Sequence, residues 1–271
     1  MKIGFIGGGN MANALIGGLV KQIDPTQIWV VEINAEARAK LAEQYGVQTQ
    51  ATLDHNLQAL DVVVLAVKPQ SLPAVAQALQ PYVQQALIIS IAAGIRATDL
   101  SRWLGGHPRI VRTMPNTPAL IGLGVTGMAA LPAVNTADRA SATQIMQAVG
   151  QTVWLEQESQ LDAVTALSGS GPAYVFYFME SMLAAGQQMG LSADQAQTLV
   201  MGTFVGAAQL AAQASDPVST LRERVTSKGG TTAAALEVLA AQQVNNQIQS
   251  ALEAARLRAM ELGDELGGAT P

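Results

Sequence analysis

Short apolar runs alternate with segments of helical spacing through the first half of the chain. Strands are predicted at residues 2–6, 28–33, 62–67, 87–92, 109–113, 125–129 and 152–155, and helices at 11–21, 36–45 and 136–149. Apolar strands that alternate with helices are typical of a parallel sheet covered on both faces. The first half is therefore predicted to be a doubly wound α/β domain, which binds ligands at the carboxyl ends of its strands.

The strand pattern ends after Leu161, and helical spacing rich in Ala, Met, Leu and Gln runs from residue 173 to 266. Gly190 is predicted to end one helix, Ser192 to begin the next, and Asp216 with Pro217 to interrupt the chain again. Residues 267–271 are predicted to fray. We therefore predict an α/β domain over residues 1–160 and an all-helical domain over residues 161–271.

Composition excludes several classes of function. Hydrophobic residues make up 49% of the 271-residue chain and charged residues 13%, yet no apolar run approaches the roughly 18 residues that a membrane span needs. The apolar surplus is expected to be buried between the subunits of a homo-oligomer. The net charge of −5, with Lys and Arg scattered along the chain, predicts no binding to nucleic acid.

Residues for metal or thiol chemistry are scarce. The chain has no cysteine, which suits a reducing, cytoplasmic location and provides no disulfide framework. Its two histidines, His55 and His107, have no carboxylate partner nearby in sequence and are expected on the surface. No metal site is therefore predicted.

The turn after the first predicted strand carries a dinucleotide fingerprint. Gly7, Gly9 and Ala12 fit the pattern G-x-G-x-x-G/A, in which the first glycine allows a tight turn and the second admits a pyrophosphate. The small third residue lets the following helix pack closely on the strand. Because a strand precedes the turn and a helix follows it, the α/β half is predicted to be a Rossmann-type domain.

An acidic residue, Glu32, ends the second predicted strand 20 residues after Ala12. A carboxylate there accepts hydrogen bonds from the adenosine ribose and repels a 2′-phosphate, which weakly favours NADH over NADPH. Asn34 and Arg38 are near enough in sequence to bind that phosphate if the loop turns the other way. A glutamate that is merely solvated is the third interpretation.

Three further loops follow predicted strands. Small or polar residues occupy positions 66–70 and 91–94, and a rigid turn between two prolines follows the strand that ends at residue 113. Asn116 in that turn is placed to bond a nicotinamide carboxamide. Taken singly, each loop is better explained as a structural turn.

Near the C-terminus, a loop of glycine and hydroxyl residues opens directly into a helix. The sequence of residues 227–232 is Ser-Lys-Gly-Gly-Thr-Thr, and alanines follow. Helix N-termini offer unpaired N–H groups and a partial positive charge, so this loop is predicted to bind a carboxylate. A dinucleotide site and a carboxylate site together indicate hydride transfer to a small acid.

The residues available also limit which chemical group can accept the hydride. Reduction of a carbonyl needs a positioned acid for the developing alkoxide, usually His, Lys or Tyr, and neither histidine is suitably placed. A protonated imine already carries its proton, so its reduction chiefly needs positioning and an anion anchor. The pattern therefore favours an imine that bears a carboxylate.

Six segments, in this order along the chain, resemble the Δ1-pyrroline-5-carboxylate reductases, which make L-proline from its cyclic imine. They are residues 5–12, 66–69, 90–94, 114–119, 167–174 and 226–232. The similarity covers nearly the whole chain, and the last three segments together are highly specific.

The resemblance implies the residues of the site. For the substrate carboxylate it implies Ser227, Gly229, Gly230, Thr231 and Thr232, with Thr232 also near the ring nitrogen as the catalytic residue. For the dinucleotide it implies Gly7, Gly8, Gly9, Asn10, Met11, Ala12, Lys68, Pro69, Ala92, Ala93, Gly94 and Asn116. It further implies that helical domains interlock as homodimers, so that the carboxylate loop can come from the neighbouring subunit, and that some dimers assemble into decamers.

Two positions depart from the family pattern. Residue 228 is Lys where many relatives have Pro, which leaves the loop less rigid and adds a cation. Glu32 replaces the small hydroxyl or phosphate-tolerant residues of NADPH-preferring relatives. The second departure bears on the choice between NADH and NADPH and leaves the reaction unchanged.

Two other functions remain open at this point. A β-hydroxyacid dehydrogenase shares the fingerprint and a helical C-terminal domain but uses a lysine on the first long helix as its acid, and residues 172–189 contain neither Lys nor Arg. A non-catalytic dinucleotide sensor would bind a protein partner with its helical domain. Turnover of pyrroline-5-carboxylate separates both from the reductase.

Overall fold

The computed structural model describes residues 1–268. Residues 1–170, together with residues 255–268, form one compact unit, and residues 171–254 form a second. Residues 269–271, the last three of the predicted frayed tail, lie outside the described residues. Gly267, where that tail was predicted to begin, is still helical.

The first unit is built on a single sheet. Its strands are β1 (Ile3–Ile6), β2 (Ile28–Val31), β3 (Gln48–Gln50), β4 (Val62–Leu65), β5 (Leu87–Ser90), β6 (Ile110–Met114), β7 (Gly124–Ala130) and β8 (Gly150–Trp154). Their spatial order is β3-β2-β1-β4-β5-β6-β7-β8. The order reverses between β1 and β4, which is where a doubly wound sheet binds its ligand.

The first α-helices of the chain are α1 (Asn10–Leu19), α2 (Ala35–Tyr45), α3 (Leu72–Leu79), α4 (Ala97–Trp103), α5 (Thr136–Gln147) and α6 (Gln160–Val164), and a π-helical turn, Thr165–Gly169, follows α6. Helices α1 to α5 lie between strands of the sheet in the chain, and α6 follows β8. The predicted Rossmann-type fold is confirmed.

Two apolar layers cover the two faces of the sheet. Phe5 packs with Leu15 of α1 on one face, whereas the next residue along β1, Ile6, packs with Leu65 and with Leu72 of α3 on the other. All five side chains are at most 3% exposed. Because burying a Leu, Ile or Phe side chain contributes about 1.5–3 kcal/mol, these layers hold the strand ends in fixed positions.

The last two strands run against the first six. β7 pairs antiparallel with β6, and β8 pairs parallel with β7. The prediction of a parallel sheet is therefore wrong for β7 and β8. Residues 115–123, which connect β6 to β7, are too few for a parallel crossover, since that takes a dozen residues or more.

The second unit is helical in its described residues, as predicted. It contains α7 (Gly171–Gln188), α8 (Ala193–Gln213), α9 (Val218–Arg224), α10 (Thr231–Ala241) and the start of α11 (Val244–Gly267). From residue 255 onward, α11 belongs to the first unit.

The breaks between these helices follow the sequence signals. Gly190 adopts a left-handed φ of +96° after α7, and Ser192 caps α8 in a reciprocal pair with Gln195. The chain breaks again at Asp216 and Pro217, between α8 and α9. These predictions are confirmed.

Candidate active site

The glycine turn after β1 lies where the strand order of the sheet reverses. Gly7 adopts a left-handed φ of +98°, and its N–H donates to the carbonyl oxygen of Val31 at 2.8 Å. A Cβ at Gly7 would lie 2.7 Å from the main-chain oxygen of Ala66. The fold itself therefore requires glycine at position 7.

Gly9 has neither a left-handed φ nor a neighbouring atom that would exclude a side chain. Its φ is −69° with an extended ψ, and an added Cβ would have no heavy atom within 4 Å. Gly9 is also the N-cap of α1, and no side chain caps that end of the helix. The turn is thus a cradle that a side chain at position 9 would fill, and it fits a pyrophosphate at a helix N-terminus.

The remaining fingerprint residues form the first turn of α1. Asn10 is exposed and Met11 is half-buried. Ala12 is only 1% exposed and packs in the core layer on this face of the sheet. A larger side chain at position 12 would push α1 away from the strands, as the fingerprint predicts.

Glu32 lies directly after β2, and its carboxylate bonds to the glycine turn. Oε2 accepts the N–H of Gly8 at 2.8 Å, and Oε1 accepts the N–H of Asn34 at 2.8 Å. A Cβ at Gly8 would lie 3.3 Å from Cγ of Glu32, so the small residue permits this approach. Two main-chain donors therefore hold the negative charge at the edge of the turn.

The side chains considered as phosphate ligands shape the connection from β2 to α2. Asn34 caps α2, since its Oδ1 accepts the N–H of Ala37 at 2.8 Å. Nη1 of Arg38 donates to the carbonyl oxygens of Glu32 and Ile33 at 2.6 and 2.9 Å. Both side chains therefore bond to the main chain, and the carboxylate of Glu32 is the group bonded to the glycine turn.

The loop after β4 begins beside the glycine turn. The N–H of Ala66 donates to the carbonyl oxygen of Ile6 at 2.8 Å, which continues the pairing of β1 and β4 beyond the strand. Lys68 is exposed, and Pro69 begins a single turn of 3₁₀ helix. The predicted residues Lys68 and Pro69 thus lie at the same edge of the sheet as Gly7.

The loop after β5 is held by two buried hydroxyl groups. The N–H of Ala92 donates to Oγ of Ser90 at 3.3 Å, and Oγ1 of Thr113 donates to the carbonyl oxygen of Ser90 at 3.0 Å. Beyond half-buried Ala93, Gly94 adopts a φ of +73°. No role was predicted for Ser90 or Thr113, although Ser90 lies in the family-like segment 90–94, because a hydroxyl at or near the end of an apolar strand is a weak signal.

Asn116 links three parts of the first unit. Its Oδ1 accepts the N–H of Val125 in β7 at 2.9 Å, and its Nδ2 donates to the carbonyl oxygen of Ser168 at 3.1 Å. The residue is 9% exposed. The amide therefore anchors the loop after β6, and one N–H and one lone pair of the amide remain for a ligand.

In the second unit, residues 225–230 connect α9 to α10. Gly229 adopts a φ of +70°, and Gly230 is the N-cap of α10 without a side-chain cap. The N–H of Gly230 donates to the carbonyl oxygen of Ser227 at 3.0 Å. Thr231 and Thr232 are the first two residues of the helix. The structure therefore brings all five predicted carboxylate residues to one helix N-terminus.

The second unit also exposes a large apolar surface. In α7 and α8, which have 18 and 21 residues, only Gly186, Ala196 and Val200 are buried. The exposed large side chains of these two helices include Val175, Phe176, Tyr177, Phe178, Met182, Leu199, Met201, Val205 and Leu210. Exposure on this scale is typical of a surface that is buried in an oligomer.

The two histidines differ in burial. His55 is exposed, as predicted, and its ring lies edge-on to Tyr82 with 5.5 Å between centroids. The surface prediction is wrong for His107, which is 6% exposed and whose Nε2 lies 3.0 Å from the carbonyl oxygen of Ala86. Desolvation lowers the pKa of His107, and this effect is larger than the opposing effect of the hydrogen bond to Ala86, which raises the pKa. The burial depends on packing after α4, which no local pattern reveals.

An ion pair lies at the amino end of β6, at the opposite edge of the sheet from the loops after β4 and β5. Arg109 bonds Asp138 through Nη2 at 2.5 Å and through Nε at 3.2 Å. The guanidinium lowers the pKa of the Asp138 carboxyl, which also completes the cap of α5 with Asn135. This pair joins α5 to the start of β6, so its role is structural.

Residues 1–268 contain no group of three or more His, Cys, Asp or Glu side chains that could hold a metal ion. In the same part of the chain, no helix has both the length and the apolar character of a membrane span.

Two protein-family models match the chain. One, described as pyrroline-5-carboxylate reductase dimerisation, matches residues 158–262. The other, described as NADP oxidoreductase coenzyme F420-dependent, matches residues 2–94. The first match covers most of the helical half, and the second covers the glycine turn and the loops after β2, β4 and β5.

Individual relatives match along nearly the full chain. The pyrroline-5-carboxylate reductase of Pseudomonas aeruginosa is 45% identical over 268 residues, which is 98% of each chain. The solved structure of a pyrroline-5-carboxylate reductase from Coxiella burnetii has a TM-score of 0.91 at 40% identity, over 96% of this chain and 98% of that one. Plasmodium falciparum pyrroline carboxylate reductase, solved with NADP bound, has a TM-score of 0.86 at 30% identity, over 97% and 98%.

Proposed function

The chain belongs to the pyrroline-5-carboxylate reductase family and is an NAD(P)-dependent oxidoreductase of proline biosynthesis; on that basis we propose which of its residues perform the reaction. The substrate is the cyclic imine 1-pyrroline-5-carboxylate and the product is L-proline. The imine carbon gains a hydride, the C=N double bond becomes a single bond, and the ring nitrogen of the protonated imine keeps its proton. The reaction therefore needs a dinucleotide site, a carboxylate site and little acid–base chemistry.

The dinucleotide is bound by the first unit. The observation that carries this proposal is the contrast between Gly7, which the fold requires, and Gly9, which only a closely approaching ligand requires. When bound, a reduced nicotinamide dinucleotide supplies the hydride. The residues that hold it are Gly7, Gly8, Gly9, Asn10, Met11, Ala12, Glu32, Lys68, Pro69, Ala92, Ala93, Gly94 and Asn116.

Glu32 sets a weak preference for NADH over NADPH. Its carboxylate is fixed by the N–H groups of Gly8 and Asn34 and retains lone pairs for a ribose diol. A 2′-phosphate in the same place would meet a like charge. The guanidinium of Arg38 donates to the main-chain carbonyl oxygens of Glu32 and Ile33.

The substrate carboxylate is bound at the N-terminus of α10. This site consists of Ser227, Gly229, Gly230, Thr231 and Thr232. It offers hydroxyl groups, the N–H groups of Thr231 and Thr232, and the positive end of the helix dipole. The Thr232 hydroxyl faces the ring nitrogen and is the catalytic residue. Exposed Lys228 adds a positive charge next to this anion site.

The helical half makes the homo-oligomer. The match to a dimerisation family and the exposed apolar side chains of α7 and α8 support a homodimer, with a decamer as a possible higher assembly. We propose a domain boundary at residues 160 and 161, close to the start of that family match at residue 158, whereas the compact units divide at residues 170 and 171. We place the enzyme in the cytoplasm, in keeping with a chain that has no cysteine.

A steady-state assay tests the proposal. Oxidation of NADH and of NADPH is followed with 1-pyrroline-5-carboxylate, and proline is quantified at the end point. We expect turnover with both dinucleotides, a higher kcat/KM with NADH and no loss on chelation of metal ions. Folded, dimeric protein that turns over neither dinucleotide would contradict the proposal.

A further inference from the structure

The C-terminal end of α11 packs on the loop that follows β5. We propose that this helix end positions residues 92–94 at the dinucleotide site, so that Leu266 and Asp264 set dinucleotide affinity without touching the dinucleotide. The inference rests on the proposed function, in which residues 92–94 contact that cofactor.

The first contact joins α11 to the loop itself. A Cβ at Gly94 would lie 3.1 Å from Cδ1 of Leu266 and 3.4 Å from Cβ of Leu262, so the loop main chain approaches both leucines. Leu266 also packs against the buried layer that contains Ala92 and Ile95. The two leucines therefore form the wall behind the loop.

Small residues on one face of α11 allow this close approach. Ala259, Gly263 and Gly267 recur every fourth residue and are all buried. A Cβ at Gly263 would lie 3.1 Å from Nε of Arg96, and one at Gly267 would overlap the carboxylate of Asp99. Larger side chains on this face would therefore displace α11 from α4.

Polar contacts fix the register of α11 against α4. Arg96 is the N-cap residue of α4, and its Nη2 lies 2.6 Å from Oδ1 of Asp264. Nη2 of Arg102 donates to the carbonyl oxygen of Gly267 at 2.7 Å and also pairs with Asp99 at 3.0 Å. A cation at the C-terminal carbonyls of a helix is favourable. The contacts therefore select one position of the helix end.

These contacts predict an effect on binding and not on chemistry. The loop is held before residue 92 by Ser90, and after residue 94 by the end of α11. Without the second support, the loop would populate several conformations, and dinucleotide binding would have to select the competent one. Affinity for the dinucleotide would fall, whereas the bound complex would react at its normal rate.

Two variants of the full-length enzyme test this. We expect Leu266→Ala to raise the Kd of NADH, measured by fluorescence titration, by about three- to tenfold. Asp264→Asn should raise it about twofold, because an ion pair with 41% and 71% exposed side chains is weak. In both, kcat at saturation and the KM of pyrroline-5-carboxylate should stay within about twofold of the parent.

Two controls are matched to these variants. Glu265 neighbours Asp264 but pairs with Arg258 of the same helix at 2.7 Å, so Glu265→Gln should leave the Kd of NADH unchanged. Leu266→Met conserves side-chain volume and should restore most of the affinity that Leu266→Ala loses.

Folded Leu266→Ala enzyme with an unchanged Kd of NADH overturns the proposal. So does an equal loss in kcat and in both KM values, since that pattern indicates general damage. If Leu266→Ala does not fold, Asp264→Asn against Glu265→Gln decides, and equal Kd values overturn the proposal. A parent protein that binds no dinucleotide at all is a distinct result, which removes the proposed function and this inference with it.

Discussion

The carboxylate of Glu32 accepts the N–H of Gly8 at 2.8 Å, so the acidic residue after β2 is bonded directly to the glycine turn after β1. A second main-chain donor, the N–H of Asn34, holds the other carboxylate oxygen at 2.8 Å. The negative charge therefore has a fixed position before any ligand arrives, and its remaining lone pairs are available to a ribose diol. The choice between NADH and NADPH should depend on this one side chain.

Replacing Glu32 by Ser should shift that choice. The substitution removes the charge that opposes a 2′-phosphate, and we expect the ratio of kcat/KM for NADPH to that for NADH to rise about tenfold. The measurement is initial rate against each dinucleotide at saturating pyrroline-5-carboxylate. Glu36→Ser removes the same charge in the first turn of α2 and should leave the ratio unchanged. An unaltered ratio in Glu32→Ser would show that Glu32 is only a surface charge.

Gly7 and Gly9 should respond to the same substitution in different ways. Gly7→Ala forces a Cβ into a left-handed conformation against the oxygen of Ala66, and should destabilise the protein by about 1–3 kcal/mol. A Cβ at position 9 would lie near no protein atom, and the φ of Gly9 is one that alanine adopts readily. Gly9→Ala should therefore keep its thermal stability while the Kd of NADH rises about tenfold or more. Thermal melts and fluorescence titration measure the two effects. Normal NADH binding by Gly9→Ala would remove the argument that a ligand, and not the fold, requires this glycine.

Thr232→Ala should impair substrate turnover. Loss of one hydrogen bond to a charged group costs about 1.5–3 kcal/mol, which corresponds to a ten- to hundredfold drop in kcat/KM for pyrroline-5-carboxylate. The Kd of NADH should change little. Thr98 is also the second residue of a helix, α4, so Thr98→Ala controls for the loss of a hydroxyl in a first helical turn. A Thr232→Ala value within about twofold of the parent would favour a simple structural threonine.

His107 should make stability depend on pH. Burial lowers its pKa below the ordinary 6.5, so the unfolded chain binds a proton more readily than the folded one. The stability contributed by neutral His107 is therefore present above pH 6.5 and is lost as the pH falls through that value towards the folded pKa. Urea midpoints across this range should decline less in His107→Gln than in the parent. His55→Gln, at an exposed position, is the control, and identical pH profiles for parent and His107→Gln would refute the account.

The features that the sequence predicted are those that a local pattern encodes. The apolar strands and the glycine turn are of this kind. Position 7, for example, must be glycine because of its own backbone conformation. The polar edge strand β3, with sequence Gln-Thr-Gln, has no apolar alternation, and only its pairing with β2 makes it a strand. The direction of β7 follows from the length of its connection, which a list of strands does not consider.

Sequence patterns also failed to predict where strands end and which residues far apart in the chain are in contact. The strands predicted to end at residues 33, 67 and 92 end at Val31, Leu65 and Ser90, because apolar residues also follow the last paired position of each strand. Ile33 is one of them, although it is 88% exposed. The contact of Arg96 with Asp264 joins residues 168 positions apart. No periodicity reports such a contact, so the return of α11 to the first unit became visible only in three dimensions.

The central claim is hydride transfer from a bound dinucleotide to the imine carbon of pyrroline-5-carboxylate. The most direct measurement uses NADH with deuterium at the transferable position of the nicotinamide and analyses the proline formed by mass spectrometry and NMR. The account predicts L-proline that carries one deuterium, located on the former imine carbon. Proline without deuterium, deuterium on another carbon, or no proline from folded and dimeric enzyme would contradict it.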